Sequence, residues 1–355
     1  MPVSLDIKDF LQQPDEFPVV DVRSPAEFQK GHLPGAISLP LFSDAERAEV
    51  GTLFTRSGRE EAILRGLDII LPKTGKIRRS LHKQTQAKHL RMYCWRGGMR
   101  SLNMAWMLEG HGYRVDLLEG GYKAYRKHIR TLLDEPAKVV VIGGFTGSGK
   151  TEILLALSEA GEQVIDLERL ASHKGSAFGA IGQPEQPTNE QFENNLFERW
   201  TKLDKKRFIW LEDESRMIGR ITLPDPLILK IQTAPLIILE VPKKIRVGRL
   251  VREYTGISDR MLGEAVMKIE ARIGRERARE ALDLIRRKAY SEVAAEMLSY
   301  YDETYAFSIR RRQGQARYPY PVEWFDAREI AAGLKKFASQ QLKNGSYLPL
   351  SLIHI

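Results

Sequence analysis

Short apolar runs that alternate with stretches of helical periodicity limit the fold of this chain more than any other sequence feature. Strands of a parallel sheet are apolar throughout, because helices cover both faces of such a sheet. The alternation therefore predicts an α/β fold with mostly parallel, buried strands. The predicted strands are Pro18–Asp21, Leu90–Tyr93, Val139–Ile142, Val164–Ile165, Phe208–Leu211 and Leu236–Leu239.

Two domains are predicted from the length of 355 residues and from one break in this pattern. At Asp134–Ala137 a basic helical segment stops and a new β-run begins. We place the first domain at 1–134 and the second at 137–337, with an Arg- and Glu-rich helical extension beyond Gly256. The apolar end YLPLSLIHI has no partner in this pattern, and we interpret 338–355 as a disordered or artefactual tail.

Composition excludes several classes of protein. The single cysteine excludes a disulfide framework and predicts a reducing compartment, and the seven histidines do not have the spacing of a zinc site. The N-terminal segment lacks the pattern of a signal peptide, and no apolar run reaches the length of a membrane span. We therefore expect a cytoplasmic protein. The net charge of +9 suits a polyanionic partner without identifying it.

The lone thiol, Cys94, lies where a predicted strand meets a Gly-Gly turn and the start of a helical run. There, backbone N–H groups and the helix dipole stabilise negative charge, so we expect a largely thiolate nucleophile. Gly97 and Gly98 allow the sharp turn, while Arg96 and Arg100 add positive charge around a bound oxyanion. Most free cysteines are instead buried side chains without chemistry. A cysteine followed by five residues and an arginine also fits a cysteine phosphatase.

A second anion site is predicted by the sequence Gly-x-x-x-x-Gly-Lys-Thr, which follows a predicted strand and precedes a helical run. In a P-loop of this kind the backbone amides surround a phosphate, the lysine neutralises it, and the threonine can hold Mg²⁺. The alternative is an ordinary Gly-rich turn, which the flanking strand and helix disfavour. The predicted phosphate-binding residues are Gly144, Gly147, Ser148, Gly149, Lys150 and Thr151.

Acidic side chains follow the predicted strand Phe208–Leu211. Carboxylates at the carboxyl end of a strand can reach a phosphate-bound Mg²⁺, so Glu212 and Asp213 are candidate metal-holding groups, with Asp213 first. The alternative is that they only cap the strand. The polar, Gly-containing stretch after Val164–Ile165 is too rich in functional groups for a plain connection, and we interpret it as a substrate loop. Its candidate residues are Asp166, Glu168, His173 and Ser176.

The N-terminal part of the chain resembles the rhodanese domains. It has Asp21 and Arg23 at a strand end, Gly-His-x-Pro-Gly-Ala at 31–36 and Leu-Glu-Gly-Gly-Tyr at 118–122. Domains of this family carry sulfur or selenium on the loop cysteine. An insert at 42–88, which includes a basic run, departs from the single-domain rhodaneses. We expect something extra to dock at this insert.

A rhodanese-like domain followed by a P-loop domain with Asp-Leu-Glu-x-Leu-Ala-x-His-x-Gly-Ser-Ala-Phe-Gly and Leu-Glu-Asp-Glu-Ser-Arg-Met-Ile-Gly resembles the bacterial tRNA 2-selenouridine synthases, from Ile7 to Phe337. The resemblance implies that sulfur of wobble 2-thiouridine is replaced by selenium from selenophosphate. It also implies an S-geranyl-2-thiouridine intermediate made from geranyl diphosphate. Cys94 would receive selenium as a perselenide or assist its delivery, and the P-loop would bind the diphosphate, together with Mg²⁺.

The same resemblance implies a tRNA partner, bound through its anticodon stem-loop, and selenophosphate synthetase as the supplier of selenium. Candidate tRNA contacts are Arg272, Arg275 and Arg279 on one helical stripe, although ion pairs four residues apart would make the same stripe a solvated face. Two other functions remain open from the residues. One is a sulfurtransferase or cysteine phosphatase domain fused to a small-molecule kinase, and the other is a nucleotide-gated RNA-binding module with a vestigial Cys94.

Overall fold

The computed structural model describes residues 2–176, 178–254, 256–312 and 314–342. The chain divides between Leu132 and Leu133 into two compact units. Within the described ranges, no helix combines the length and the apolar character that crossing a bilayer requires.

The first unit is built on a five-stranded parallel sheet. Its strands are β1 Val3–Leu5, β2 Val19–Asp21, β3 Ile37–Ser38, β4 His89–Tyr93 and β5 Arg114–Leu118. They pair in the order β1-β5-β4-β2-β3, and every pair is parallel. The helices are α1 Ile7–Gln12, α2 Pro25–Lys30, α3 Asp44–Arg56, α4 Arg59–Ile70, α5 Thr74–Gln84, α6 Met99–Glu109 and α7 Gly121–Leu132, with a 3-10 turn Leu71–Lys73.

The predicted insert consists of α3, α4 and α5. Ser43 caps α3 by accepting a hydrogen bond from the Glu46 N–H, and Gly58 turns the chain into α4 with a φ of 99°. Ile70 and Leu81 are buried in the same apolar core as the sheet residues Val20 and Leu90. The insert is therefore part of the first unit rather than a separate appendage.

The second unit has its own five-stranded parallel sheet. Its strands are β6 Val139–Gly144, β7 Gln163–Ile165, β8 Ile209–Glu212, β11 Leu236–Glu240 and β12 Arg317–Pro321. A small antiparallel ribbon is formed by β9 Met217–Ile218 and β10 Ile221–Thr222. The sheet order is β12-β11-β6-β8-β7 with every pair parallel. Since β6 and β8 are parallel neighbours, the loops that follow them leave the same edge of the sheet.

Helices surround this second sheet and continue into the predicted helical extension. They are α8 Lys150–Glu159, α9 Leu167–Leu170, α10 Asn189–Thr201, α11 Asp225–Thr233, α12 Lys243–Tyr254, α13 Asp259–Lys268, α14 Glu270–Ile273, α15 Arg275–Arg286, α16 Tyr290–Arg311 and α17 Ala327–Gln341. Leu262, Ala281 and Leu298 are fully buried where α13, α15 and α16 pack together. The α/β fold with parallel strands and a helical C-terminal region is confirmed.

The C-terminal end differs from the sequence-based expectation. Pro319 and Pro321 belong to the edge strand β12, which an edge position permits because an edge strand need not donate every N–H. Ala338 and Leu342 are buried in the core beneath the second sheet, so 338–342 belongs to the second unit and not to a tail. The rest of the predicted tail, 343–355, lies outside the described residues.

Candidate active sites

Cys94 lies directly after β4, in the loop that leads into α6. Its side chain is buried, and its sulfur accepts a hydrogen bond of 3.2 Å from the Ser101 hydroxyl. The Cys94 carbonyl accepts a hydrogen bond from the Tyr122 N–H. A Cβ on Gly121 would lie 2.3 Å from that carbonyl, and Gly97 has a φ of 63°. The Leu-Glu-Gly-Gly-Tyr segment therefore clamps the cysteine loop, and only glycine fits at the contact.

The two arginines of this loop have different surroundings. Arg100 is half-buried and donates a hydrogen bond of 2.7 Å to Glu27, which lies on α2. Burial alone would raise the pKa of Glu27, but the hydrogen bond and charge of Arg100, together with the Ser24 N–H and the charge of Arg47, lower that pKa overall. Arg96 is exposed, as is Gly98 at the N-terminus of α6. Glu27 thus orients Arg100 beside the thiol, while Arg96 faces solvent.

The cysteine loop is supported by a buried ion pair, Asp21 and Arg23. Both are buried, and the Arg23 guanidinium donates to the Asp21 carboxylate at 2.6 Å and to the Gly31 carbonyl at 2.6 Å. The same guanidinium lies over the Tyr122 ring, 3.8 Å from its centroid. These signature residues therefore join β2 to the segments around the cysteine loop and do not themselves face a ligand.

A cavity of about 570 Å³ opens beside Cys94 on the side of the inserted helices. Cys94, Arg96, Gly98 and Arg100 line it near the thiol, and residues of α3 and α4 form most of the remaining wall. The insert thus contributes directly to the surroundings of the thiol. The sequence indicated an insert here but carried no signal that it would form a cavity wall.

The P-loop has the strand-loop-helix geometry that the sequence predicts, between the end of β6 and the start of α8. Gly144, Gly147 and Gly149 all have positive φ, at 146°, 81° and 78°. A Cβ on Gly149 would lie 2.4 Å from the Phe325 ring, so the close packing also requires glycine there. The Lys150 ammonium donates to the Gly144 carbonyl at 3.2 Å and therefore lies back along the loop.

Two buried arginines of α12 support the P-loop. Arg249 donates to the Gly147 carbonyl at 3.0 Å, and Arg246 donates to the Thr146 carbonyl at 3.2 Å. The Ser148 hydroxyl donates to another loop carbonyl, 2.6 Å away. Because these carbonyls are held by donors, the peptide planes of the loop are fixed. In this arrangement the two arginines bind backbone carbonyls of the P-loop.

Asp213, the first candidate for holding a metal, already has both carboxylate oxygens engaged. Tyr305 donates to one oxygen at 2.8 Å and Arg312 donates to the other at 2.5 Å. The Tyr305 hydroxyl in turn accepts from the Gly144 N–H at 2.9 Å. Asp213 therefore connects the start of the P-loop to α16. Tyr305 and Arg312 lie more than ninety residues further along the chain, and no local sequence pattern identifies them.

A cluster of glutamates lies next to the P-loop. The Thr151 hydroxyl donates to Glu168 at 3.0 Å, and the Glu168 N–H donates to one oxygen of Glu212 at 2.7 Å. The other oxygen of Glu212 is buried and has no hydrogen-bond partner among the described residues. Burial and the neighbouring charge of Glu168 raise the pKa of Glu214 to about 8, while Lys150 opposes this rise. Glu214, the third acid that follows the predicted strand Phe208–Leu211 in the sequence, thus belongs to the cluster.

The predicted substrate loop divides into two parts. Asp166 caps α9 by accepting from the Arg169 N–H at 2.7 Å, and burial raises its pKa. His173 accepts from the Gly175 N–H at 3.1 Å, and burial lowers its pKa. Ser176 is half-buried in the turn that follows. The structure brings Glu168 to Thr151, whereas His173 makes its hydrogen bond within its own loop.

The three candidate tRNA-binding arginines do not share one helix, which corrects the predicted stripe. Arg272 lies on α14, and Gly274, with a φ of 88°, ends that helix before Arg275 and Arg279 on α15. All three side chains are exposed. Asp283 follows Arg279 by four residues and is therefore placed for the alternative ion pair, but it is paired with Arg287 at 2.5 Å.

Comparisons with known protein families match the two units of the chain separately. The family model described as tRNA 2-selenouridine synthase AAA domain matches residues 137–320, and the Rhodanese-like domain model matches 6–128. The tRNA 2-selenouridine synthase of Shewanella sediminis (strain HAW-EB3) is 34% identical over 84% of this chain and 89% of its own length.

Two further relatives carry the same name. The tRNA 2-selenouridine synthase of Sulfurovum sp. (strain NBC37-1) is 33% identical over 95% of this chain and 99% of its own length. That of Bdellovibrio bacteriovorus (strain ATCC 15356 / DSM 50701 / NCIMB 9529 / HD100) is 38% identical over 70% of this chain and 66% of its own length. The arrangement of a rhodanese-like unit and a P-loop unit, together with these similarities, shows that this chain belongs to the tRNA 2-selenouridine synthase family of transferases.

Proposed function

We propose that this protein replaces the sulfur of wobble 2-thiouridine in tRNA by selenium from selenophosphate, through an S-geranyl-2-thiouridine intermediate. The observation that carries the proposal is the presence of two separate strand-loop-helix turns of the kind that bind anions, one with the Cys94 thiol and one with the Lys150 ammonium. Each of the two steps needs one such loop. Selenophosphate synthetase supplies the selenium donor in this scheme.

The first step is geranyl transfer at the P-loop. The uridine sulfur attacks the first carbon of the geranyl group, the carbon–oxygen bond breaks, diphosphate leaves, and the base loses its N3 proton. Lys150 and the loop amides stabilise the departing diphosphate. An apolar cavity of about 600 Å³ beside the P-loop, lined in part by Phe145, Leu239, Tyr305 and Ile309, offers space for the hydrocarbon chain of the donor.

A magnesium ion would neutralise charge on the diphosphate in this step. In the described residues, no three Asp, Glu, His or Cys side chains form a metal site by themselves, so the cation would share its coordination with diphosphate oxygens. The unpartnered buried oxygen of Glu212 and the Thr151 hydroxyl fit such a shared site. Asp213 fits it poorly, because both of its oxygens are engaged.

The second step is selenium transfer at Cys94. Selenophosphate already holds selenium at the oxidation level of selenide, so the exchange needs no oxidant or reductant. A perselenide formed from it would leave phosphite, and we therefore favour Cys94 as an assistant to delivery. The thiolate attacks phosphorus, the phosphorus–selenium bond breaks, hydroselenide is released, and water later hydrolyses phosphocysteine to phosphate. Hydroselenide adds to C2 of the base, and geranylthiol leaves with a proton.

The local geometry supports this route. The spacing from Cys94 to Arg100 is that of a loop which holds a phosphoryl group, and Glu27 orients Arg100. The Ser101 hydroxyl donates a hydrogen bond to the Cys94 sulfur, and in this scheme the same donor serves the sulfur when it attacks and when it leaves on hydrolysis.

The two steps can be separated by substitution. A thiolated anticodon stem-loop RNA is incubated with selenophosphate and geranyl diphosphate, and the nucleosides are measured by mass spectrometry. We expect Cys94→Ser to abolish 2-selenouridine while S-geranyl-2-thiouridine accumulates. We expect Lys150→Ala to lower geranyl transfer at least about 100-fold, the usual effect of removing a charge-stabilising donor, while an RNA that is already geranylated is still converted.

The exposed Lys206 provides a matched control in the second unit, since Lys206→Ala should leave both products unchanged. Loss of both products in each site variant would contradict the assignment of one step to each loop. ATP hydrolysis without either product would favour the alternative of a small-molecule kinase.

A further inference from the structure

The cavity beside Cys94 has two chemically different parts. At the thiol its positive charges are those of Arg96, in the cysteine loop, and Arg100, in the first turn of α6. Arg47 on α3 and Arg59 on α4 also line it. Most of the wall contributed by α3 and α4 is apolar, and Val50 and Ile63 are half-buried there. A ligand that matches such a lining has a hydrocarbon body and a polar head at the thiol.

Two apolar side chains at this cavity remain uncovered. Phe54 is 57% exposed and Leu67 is 39% exposed, although both line the cavity. Large apolar groups that converge on a recess beside a reactive group are typical of a ligand site, because a ligand would remove them from water. The volume of about 570 Å³ lies in the ordinary range for a small-molecule pocket.

We propose that this cavity binds the S-geranyl chain of the modified uridine and holds C2 of the base next to Cys94. The proposal rests on the proposed function, which identifies the hydrocarbon. In the exchange step hydroselenide adds to C2, the C2–S bond breaks, and geranylthiol takes up a proton and leaves into the cavity. The inserted helices are then the part of the first unit that distinguishes geranylated uridine from its precursor.

Hydrocarbon length provides a direct test. Each methylene group that leaves water strengthens binding about four-fold, so a five-carbon chain should be a much poorer substrate than the ten-carbon geranyl chain. Stem-loop RNAs that carry S-geranyl- or S-dimethylallyl-2-thiouridine are incubated with selenophosphate and the full chain. Formation of 2-selenouridine gives kcat/KM for each. For the wild type we expect kcat/KM to be at least about tenfold higher with the geranyl RNA.

Neighbouring residues of α4 provide matched variants. Ile63 lines the cavity, whereas Leu64 is 59% exposed and does not line it. We expect Ile63→Trp to lower kcat/KM for the geranyl RNA at least about tenfold and to leave the dimethylallyl RNA within about twofold, because tryptophan fills the space that the longer chain needs. Leu64→Trp should change neither. Transfer of the geranyl group from geranyl diphosphate should be unchanged in both variants.

A second variant changes a cavity residue that is largely exposed, so the apolar core of the first unit stays intact. Phe54→Ser replaces an exposed side chain and should lower kcat/KM for the geranyl RNA several-fold more than for the dimethylallyl RNA. Equal losses with both RNAs, or no loss with either, in Ile63→Trp and Phe54→Ser would overturn the proposal. A wild type that converts both RNAs equally well would overturn it too. A wild type that converts neither RNA would instead refute the proposed function.

Discussion

Two glutamates near the P-loop are buried, and each lies close to the other's negative charge. Glu168 and Glu214 approach each other beside Lys150, and the pKa of Glu214 is raised to about 8 by burial and by the charge of Glu168. Burial also raises the pKa of Glu168. A proton retained within this pair relieves the repulsion between the two carboxylates. The cluster therefore makes the stability of the second unit sensitive to pH.

The direction of that dependence follows from the raised pKa. Below pH 4.5 the folded and unfolded states both hold the Glu214 proton, and between 4.5 and about 8 only the folded state does. The free energy of unfolding should therefore fall as pH rises through this window and level off above it. Glu214→Gln cannot ionise, so its Tm should fall less between pH 5 and pH 9, which thermal melts followed by circular dichroism can measure.

The exposed Glu303 provides the control, because Glu303→Gln should keep the wild-type dependence. Identical pH dependence of Tm in the wild type and in Glu214→Gln would show that Glu214 is already ionised in the folded state.

At the scale of elements, both loops depend on glycines that approach other backbone or ring atoms closely. Gly121 at the start of α7 faces the Cys94 carbonyl, and Gly149 at the start of α8 faces Phe325. In each case a segment distant in sequence packs against the loop and fixes its backbone. The position of the reactive group is thus set by packing between elements as well as by the loop sequence.

Gly121→Ala should therefore disturb the cysteine loop more than conformational strain alone would. Gly112→Ala is the matched control, because Gly112 also has positive φ but has open space around its Cα. The control should cost about 1–2 kcal/mol of unfolding free energy, the usual penalty for a left-handed residue. Gly121→Ala should cost more and should also slow selenium transfer, as urea unfolding and nucleoside analysis would show. Equal losses of unfolding free energy in Gly121→Ala and Gly112→Ala would contradict this, because they would show that the contact with the Cys94 carbonyl relaxes at little cost.

Features that are local in sequence could be predicted, and features that depend on distant partners could not. The P-loop and the Cys94 turn each combine a strand, glycines and a helix within one short segment. The sequence pattern of that segment therefore predicts each turn. Tyr305 on α16 and Arg312 just after it engage both oxygens of Asp213, so Asp213 is less suited to hold a metal than its position after β8 predicts. Gly274 interrupts the arginine stripe because a single left-handed residue ends a helix whose apolar periodicity would otherwise continue.

At the scale of the whole molecule, the net charge of +9 and the exposed arginines fit a polyanionic partner. Arg272, Arg275 and Arg279 are exposed although they lie on two helices. Because tRNA binding through phosphates releases counterions, the affinity should weaken as salt rises. The contribution of these arginines to that dependence can be measured separately from catalysis.

The triple variant Arg272→Ala, Arg275→Ala, Arg279→Ala should bind tRNA more weakly and lower the slope of log affinity against log salt. Each lost phosphate contact should reduce the slope by about 0.7–0.9. Fluorescence anisotropy with labelled tRNA at several salt concentrations measures both quantities. Arg328→Ala, which removes an arginine that is 85% exposed on α17, should keep the wild-type slope. An unchanged slope in the triple variant would place the tRNA elsewhere.

The strand β12 has a consequence for how the chain acquires its structure during synthesis. It pairs with β11, although the helices α12 to α16 separate the two strands in sequence. The first unit contains all of its own strands by Leu118 and can assemble while translation continues. The P-loop sheet has to wait until Pro321 has emerged from the ribosome, and until then β11 has one edge free for wrong pairing. We therefore expect chaperone dependence to be concentrated in the second unit of the nascent protein.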